Sequence, residues 1–238
     1  MKQDANENRL IVALDGVDKE SALNVCALLH DRVKIFKVGL QLYLNSGSEI
    51  IEAIQVLGCQ IFLDLKLCDI PYQTGVAAAE IARMHIKMFT VHTMGGLEMM
   101  KQTVQAVQEA SGGSAKRPLV LGVTVLTSWT QEDLHRIGVN RQVEDQVVEL
   151  ATLAKEAGLD GVVASPREIS RLRSALGEDL LIVTPGIRPA SSAKGDQKRI
   201  CTPKEAVDAG ANFIVVGRPI LSAPDPSAAV SQILDEIG

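Results

Sequence analysis

Cysteine is scarce in this chain and carries no pattern. The four in 238 residues, Cys26, Cys59, Cys68 and Cys201, are scattered and form no C-x-x-C pair, so neither a zinc site nor a disulfide framework is signalled. Buried, unreactive thiols are expected, because free cysteine behaves as a small hydrophobe. No apolar stretch approaches the roughly 20 residues of a membrane span. Residues 1–9, with Asp4, Glu7 and Asn8, do not resemble a signal peptide. A cytoplasmic protein with no membrane partner is expected. There is no run of Lys or Arg and the net charge is −5, so the electrostatic footprint of a nucleic-acid binder is missing. Any anion must be held by a few placed cations and backbone donors. Nor does a linker rich in Pro, Ser or Gly divide the chain, which reads as a single domain over 1–238 with an N-terminal tail at 1–9. A chain of this length buries about 70–75% of its unfolded surface and needs no disulfide or structural metal.

What the chain does have is alternation. Short β-branched or aliphatic runs occur at Leu10–Asp15, Ile35–Gly39, Gln60–Lys66, Met88–His92, Leu119–Leu126, Gly161–Ala164, Leu180–Thr184 and Phe213–Gly217, each followed by a longer amphipathic segment. Ser165-Pro166-Arg167-Glu168 and Thr202-Pro203-Lys204-Glu205 each combine a capping hydroxyl, a Pro at the first helical position and a Glu three residues after the cap. Gly58, Gly158, Gly177 and Gly210 stand where helices should end. Strands alternating with helices imply a parallel sheet, and eight such units predict an α/β fold, the (β/α)8 TIM barrel. An open doubly wound sheet is less favoured, because Leu14-Asp15-Gly16-Val17-Asp18 stands where a G-x-G-x-x-G would follow the first strand. In a barrel the chemistry belongs at the C-terminal ends of the strands.

Charges collect there. On an extended third strand Phe62, Asp64 and Lys66 share one face and Ile61, Leu63 and Leu65 the other, which aims Asp64 and Lys66 into the barrel mouth. Lys37 and Asp15 add two charges at neighbouring strand ends. Unpaired charges there lose hydration worth several kcal/mol each, so an alternating array of carboxylates and ammoniums is expected. It is either a structural salt-bridge network or a catalytic one. A charged lysine in a cleft can act as a general acid or fixed positive charge, and is a poor Schiff-base nucleophile.

The seventh and eighth units end in Thr184-Pro185-Gly186-Ile187-Arg188-Pro189 and Val216-Gly217-Arg218-Pro219. These are the loops where barrel enzymes often bind phosphate, with Gly backbone N–H groups and Arg side chains as donors. Tight turns with solvated arginines are the plainer possibility. The connection after the seventh strand, roughly 18 residues through Ser191, Gly195, Asp196 and Gln197, is long for a compact barrel and reads as a mobile lid. His92 fits a hydrogen-bonded structural role better than a catalytic one. Thr127-Ser128, after the fifth strand, offers hydroxyl and backbone groups to a ligand ring.

Taken together, Asp64-x-Lys66-x-x-Asp69-Ile70-Pro71, Leu14-Asp15, Lys37-Val38-Gly39, Leu126-Thr127-Ser128, the Pro-Gly-Ile-Arg-Pro loop, Gly195-Asp196-Gln197 and Val216-Gly217-Arg218-Pro219 resemble orotidine 5'-phosphate decarboxylases of the bacterial type. The resemblance spans the chain from Leu10 to about Ile220, with every motif in order. It implies conversion of orotidine 5'-monophosphate to uridine 5'-monophosphate with no cofactor and no metal. It further implies Lys66 as proton donor to ring carbon 6, flanked by the catalytic Asp64 and Asp69. Lys37 and Asp15 complete the array and hold the ribose hydroxyls, Thr127 and Ser128 contact the pyrimidine, and Arg188, Gln197, Gly217 and Arg218 hold the phosphate. A homodimer is implied too, with Asp69 and the residues after it reaching the neighbouring subunit's site.

One departure stands out. The family usually has Asn-Thr after Ile-Pro, whereas this chain reads Tyr72-Gln73-Thr74, so Gln73 takes the position of the family's Thr and Thr74 follows one residue late. Cys68 stands where bacterial members often have His. The alternatives are a magnesium-dependent 3-keto-L-gulonate 6-phosphate decarboxylase or hexulose-phosphate synthase, which share Asp-x-Lys-x-x-Asp, and a non-catalytic nucleotide-binding protein that kept the phosphate loops.

Overall fold

The computed structural model describes residues 9–113, 117–189 and 201–238. Among the described residues there are eight strands: β1 (Leu10–Ala13), β2 (Ile35–Gly39), β3 (Gln60–Leu67), β4 (Met88–His92), β5 (Leu119–Val123), β6 (Gly161–Val163), β7 (Leu181–Thr184) and β8 (Phe213–Val216). They form a closed barrel in sequence order, and β8 pairs in parallel with β1 through Leu10↔Ile214 and Val12↔Val216. The expected (β/α)8 architecture is therefore what the chain adopts. Its two compact units are residues 1–65 with 184–238, and residues 66–183, and the boundary falls inside β3 and β7.

In the first unit, α1 (Lys19–Leu29), α2 (Leu40–Ser46), α3 (Glu49–Val56), α9 (Pro203–Asp208), α10 (Arg218–Leu221) and α11 (Pro226–Glu236) accompany the strands. In the second are α4 (Pro71–Arg83), α5 (Leu97–Ala110), α6 (Gln131–Arg136), α7 (Val143–Glu156) and α8 (Ile169–Leu176). Both anticipated capping boxes form. The Ser165 N–H donates to Glu168 Oε2 at 2.8 Å and the Thr202 N–H to Glu205 Oε2 at 2.8 Å. The first opens a short 3-10 turn, Pro166–Glu168, that runs into α8.

Five strands, β1, β5, β6, β7 and β8, are shorter than their apolar runs. Pairing nonetheless continues past the ends of β1 and β5: the Leu14 N–H reaches the Lys37 carbonyl at 3.0 Å, and the Thr124 N–H and hydroxyl both reach the Val163 carbonyl, at 3.3 and 3.1 Å. The core is mostly aliphatic. Phe36 and Phe62 are fully buried in the first unit and Phe89 in the second, each stabilising the fold by about 1.5–3 kcal/mol relative to exposure. Of the cysteines, Cys26 and Cys59 are buried as expected, but Cys201 is half-buried and Cys68 exposed. Cys68 escapes burial because it follows β3 in the loop leading to α4. Among the described residues no helix is long and apolar enough to cross a membrane.

Candidate active site

In the first unit, three of the expected charges come together. Lys37 lies in the middle of β2 with its side chain only 9% exposed, and its Nζ is 2.8 Å from both Asp15 Oδ1 and Asp15 Oδ2. The same ammonium is 3.4 Å from Oδ2 of Asp64, whose side chain is 13% exposed on β3. Pairing on two sides offsets the hydration that a nearly buried ammonium gives up. Space for it comes from Gly39, which pairs with Asp64 in the β2–β3 register. A Cβ at position 39 would lie 2.5 Å from Asp15 Oδ1 and 3.2 Å from Lys37 Nζ. Asp15 itself sits in the turn after β1 and is 58% exposed. That turn is held by Gln41, which accepts from the Gly16 N–H at 3.3 Å and donates to the Val17 carbonyl at 3.3 Å.

The expected phosphate loops belong to the same unit. Gly186 turns the chain after β7 with φ +79°, a conformation costly for other residues. Beyond it Ile187 forms an isolated parallel bridge with Cys201, and the Arg188 N–H donates to the Cys201 carbonyl at 3.1 Å. The base of the long connection is thereby joined. Gln197 and the lid expected from the rest of the connection lie outside the described residues. Arg188 is half-buried. Gly217 begins the single turn of α10, and Arg218, its first residue, is exposed.

Lys66 belongs to the second unit. Its backbone is not extended: φ is +54°, in the left-handed region that a lysine seldom occupies. The alternation that puts Asp64 and Lys66 on one face holds only for extended backbone, so it does not fix the direction of the Lys66 side chain. The Lys66 N–H donates to Thr90 Oγ1 at 2.9 Å, and Thr90 is fully buried on β4. Two residues further along β4, the Nδ1 of His92 accepts from the Met94 N–H at 3.4 Å. Burial chiefly, and the charge of Lys66 in addition, hold the His92 imidazole below the usual histidine range. His92 is thus hydrogen-bonded and lies near enough to Lys66 to feel its charge.

The remaining candidates of this unit are on the surface. Asp69 is exposed, and its Oδ1 accepts the Ile70 N–H at 2.6 Å. Gln73, in the first turn of α4, is exposed, whereas the next residue, Thr74, is buried and donates its hydroxyl to the Asp69 carbonyl at 3.4 Å. Thr127 and Ser128 are exposed at the tip of a turn closed by a 2.9 Å bond from the Trp129 N–H to the Leu126 carbonyl. Sequence reasoning passed over Thr90 and Gln41. Threonine is an ordinary strand residue, so nothing in the run Met88–His92 singles out its hydroxyl.

Comparison with known proteins identifies the family. Residues 8–233 match the family model described as Orotidine 5'-phosphate decarboxylase / HUMPS family. The chain is 50% identical over 238 residues to an orotidine 5'-phosphate decarboxylase of Geobacter sulfurreducens, covering 100% of this chain and 99% of that protein. It is 49% identical to the corresponding protein of Geobacter metallireducens, with the same coverage. Among solved structures, an orotidine 5'-phosphate decarboxylase from Lactobacillus acidophilus superposes with a TM-score of 0.84 at 38% identity, over 97% of this chain and 99% of that one. The chain, matched along nearly its whole length, belongs to the orotidine 5'-phosphate decarboxylase / HUMPS family.

Proposed function

We propose that this protein decarboxylates orotidine 5'-monophosphate to uridine 5'-monophosphate in pyrimidine biosynthesis, using neither cofactor nor metal. The observation that carries this reading is Lys37 wedged between Asp15 and Asp64. A side-chain ammonium already balances the two carboxylates that could otherwise attract a divalent cation.

Breaking the bond between ring carbon 6 and the carboxylate releases carbon dioxide and leaves the electron pair on carbon 6. No neighbouring carbonyl can absorb that pair, so the protein must stabilise it electrostatically. In this reading the Lys66 ammonium faces the developing carbanion and then gives it a proton, forming the new C–H bond. Asp64, and Asp69 of the partner subunit, flank Lys66. Lys37 and Asp15 hold the ribose hydroxyls, and Thr127 and Ser128 the pyrimidine. Arg188, Gln197, Gly217 and Arg218 hold the 5'-phosphate, whose binding energy is spent on the chemical step.

We further propose that the whole chain, 1–238, acts as one barrel domain in a cytoplasmic homodimer, with Asp69 and Gln73 serving the partner's site. What supports the dimer is exposure: Ile70 and Tyr72, beside those residues, are 63% and 69% exposed, an apolar surface that a second copy would cover.

The test is the ultraviolet absorbance of orotidine 5'-monophosphate mixed with the protein in excess EDTA. Rapid loss of the orotate chromophore is expected. Persistence of the chromophore in EDTA, with turnover appearing only when magnesium is restored, would overturn the metal-free reading. No turnover under either condition would remove the decarboxylase assignment.

A further inference from the structure

Among the described residues, only Lys66 and His85 combine a side chain with φ in the left-handed region. His85 follows α4 in a turn, where such a conformation is common; Lys66 lies within β3. A non-glycine residue persists in this region only where its surroundings over-determine it. At Lys66 the restraint comes from the neighbouring strand. Its amide donates to the hydroxyl oxygen of Thr90 at 2.9 Å. Thr90 is fully buried on β4, and as a β-branched residue it has little rotamer freedom, so its Oγ1 is a fixed point.

We propose that Thr90 is a positioning residue for Lys66: its buried hydroxyl anchors the left-handed backbone from which the lysine side chain is aimed. If the amide lost this acceptor, the backbone could relax toward extended geometry and carry the Cα–Cβ vector with it. The rest of the strand would keep its pairing. His92, which feels the Lys66 charge, projects from the same face of β4 as Thr90.

The inference rests on the decarboxylase reading for its kinetic consequence, but not for its structural one, and the experiment separates the two. Thr90→Val, Thr90→Ser and Thr90→Cys are compared with the unaltered full chain in kcat and KM for orotidine 5'-monophosphate, and in amide hydrogen exchange of residues 64–69. Thr90→Val removes the acceptor at nearly constant volume. Its kcat is expected to fall about a hundredfold, the scale of a misplaced catalytic group, with KM changed by less than about threefold. Thr90→Ser keeps the acceptor and should return kcat to within about threefold, with Thr90→Cys, a weaker acceptor, between them.

Exchange at the Lys66 amide should accelerate at least about tenfold in Thr90→Val and not in Thr90→Ser, since an amide without its hydrogen bond is less protected. Equal kcat in the valine and serine variants, or unchanged Lys66 exchange in the valine variant, would overturn the proposal. Should Thr90→Val not fold, a cysteine variant indistinguishable from the parent would overturn it equally. Failure of the parent chain to turn over substrate would count against the decarboxylase reading alone, and the exchange measurement would still decide the role of Thr90.

Discussion

The Lys37 ammonium lies 2.8 Å from each carboxylate oxygen of Asp15, beside space that a side chain at position 39 would fill. Gly39 has φ −90° and ψ 177°, which any residue can adopt, so its role is one of volume rather than backbone freedom. Gly39→Ala should therefore fold normally while pushing Asp15 off Lys37. The expected result is a loss of about 10–100-fold in kcat/KM. The melting temperature should shift by no more than about 2–4 °C, the equivalent of about 1 kcal/mol in a chain of this size. Steady-state kinetics together with a thermal melt check both halves. A variant that melts far lower would show that the array holds the fold together.

Lys66→Ala separates chemistry from binding. In the proposed mechanism this lysine acts on the developing carbanion, so its loss should abolish decarboxylation while uridine 5'-monophosphate still binds within about tenfold of the parent affinity. Calorimetric titration with the nucleotide, beside the absorbance assay, gives both numbers. Surviving turnover would remove Lys66 from the centre of the mechanism.

The barrel was legible because its signals are local and repeated. Ile35–Gly39 and Met88–His92 coincide with their apolar runs, and the Ser165 and Thr202 boxes cap where their sequences say. Lys37 between Asp15 and Asp64 was legible as well, since poorly hydrated charges on neighbouring strands and turns must pair to remain there. Lys66 was only half legible. Its identity is in the motif, but its left-handed backbone depends on Thr90, 24 residues away on another strand. Period-two alternation cannot register a residue that leaves the extended conformation. Cys68 illustrates the converse: composition favoured a buried thiol, but the loop after β3 leaves it exposed.

Stability should respond to pH through Glu168. Burial pushes its carboxyl up to about 7; the Ser165 amide opposes this, the charge of Glu144 adds to it, and Arg167 opposes it. A carboxyl whose value is raised on folding contributes stability that is complete below its unfolded value, near 4.5, and is lost as pH rises through about 7. Glu168→Gln keeps an oxygen to accept the Ser165 N–H and cannot ionise. Relative to this variant, the parent should lose up to ~3 kcal/mol between pH 4.5 and pH 8, since each tenfold difference in proton affinity between the folded and unfolded chain is worth about 1.4 kcal/mol. Urea denaturation of both proteins across that range is the check, and parallel curves would remove Glu168 as the source.

Thr184, the last residue of β7, is fully buried and its hydroxyl makes no hydrogen bond to the described residues. A buried hydroxyl without a partner costs about 1–3 kcal/mol. Thr184→Val substitutes a methyl group at similar volume and should leave stability unchanged or raise it by up to about 1 kcal/mol. Loss of more than about 1 kcal/mol in urea would show that the hydroxyl is satisfied in solution.

Gln73 and Thr74 are adjacent in α4, yet their surroundings assign them different work. The Thr74 hydroxyl is buried against the Asp69 carbonyl, where it ties the loop after β3 to the start of the helix. Gln73 is exposed beside Tyr72 on the surface proposed to meet a second copy. Thr74→Val should therefore lower stability by about 1 kcal/mol, the net worth of one hydrogen bond. Gln73→Ala should leave stability within about 0.5 kcal/mol, as surface substitutions do. If Gln73 serves the partner's site in place of the family's threonine, its alanine variant should raise KM about tenfold, the equivalent of about 1.4 kcal/mol of lost binding. Kinetics and urea denaturation of the two variants separate the roles. A Gln73→Ala enzyme with parental KM, beside a Thr74→Val enzyme whose KM is raised, would exchange the two assignments.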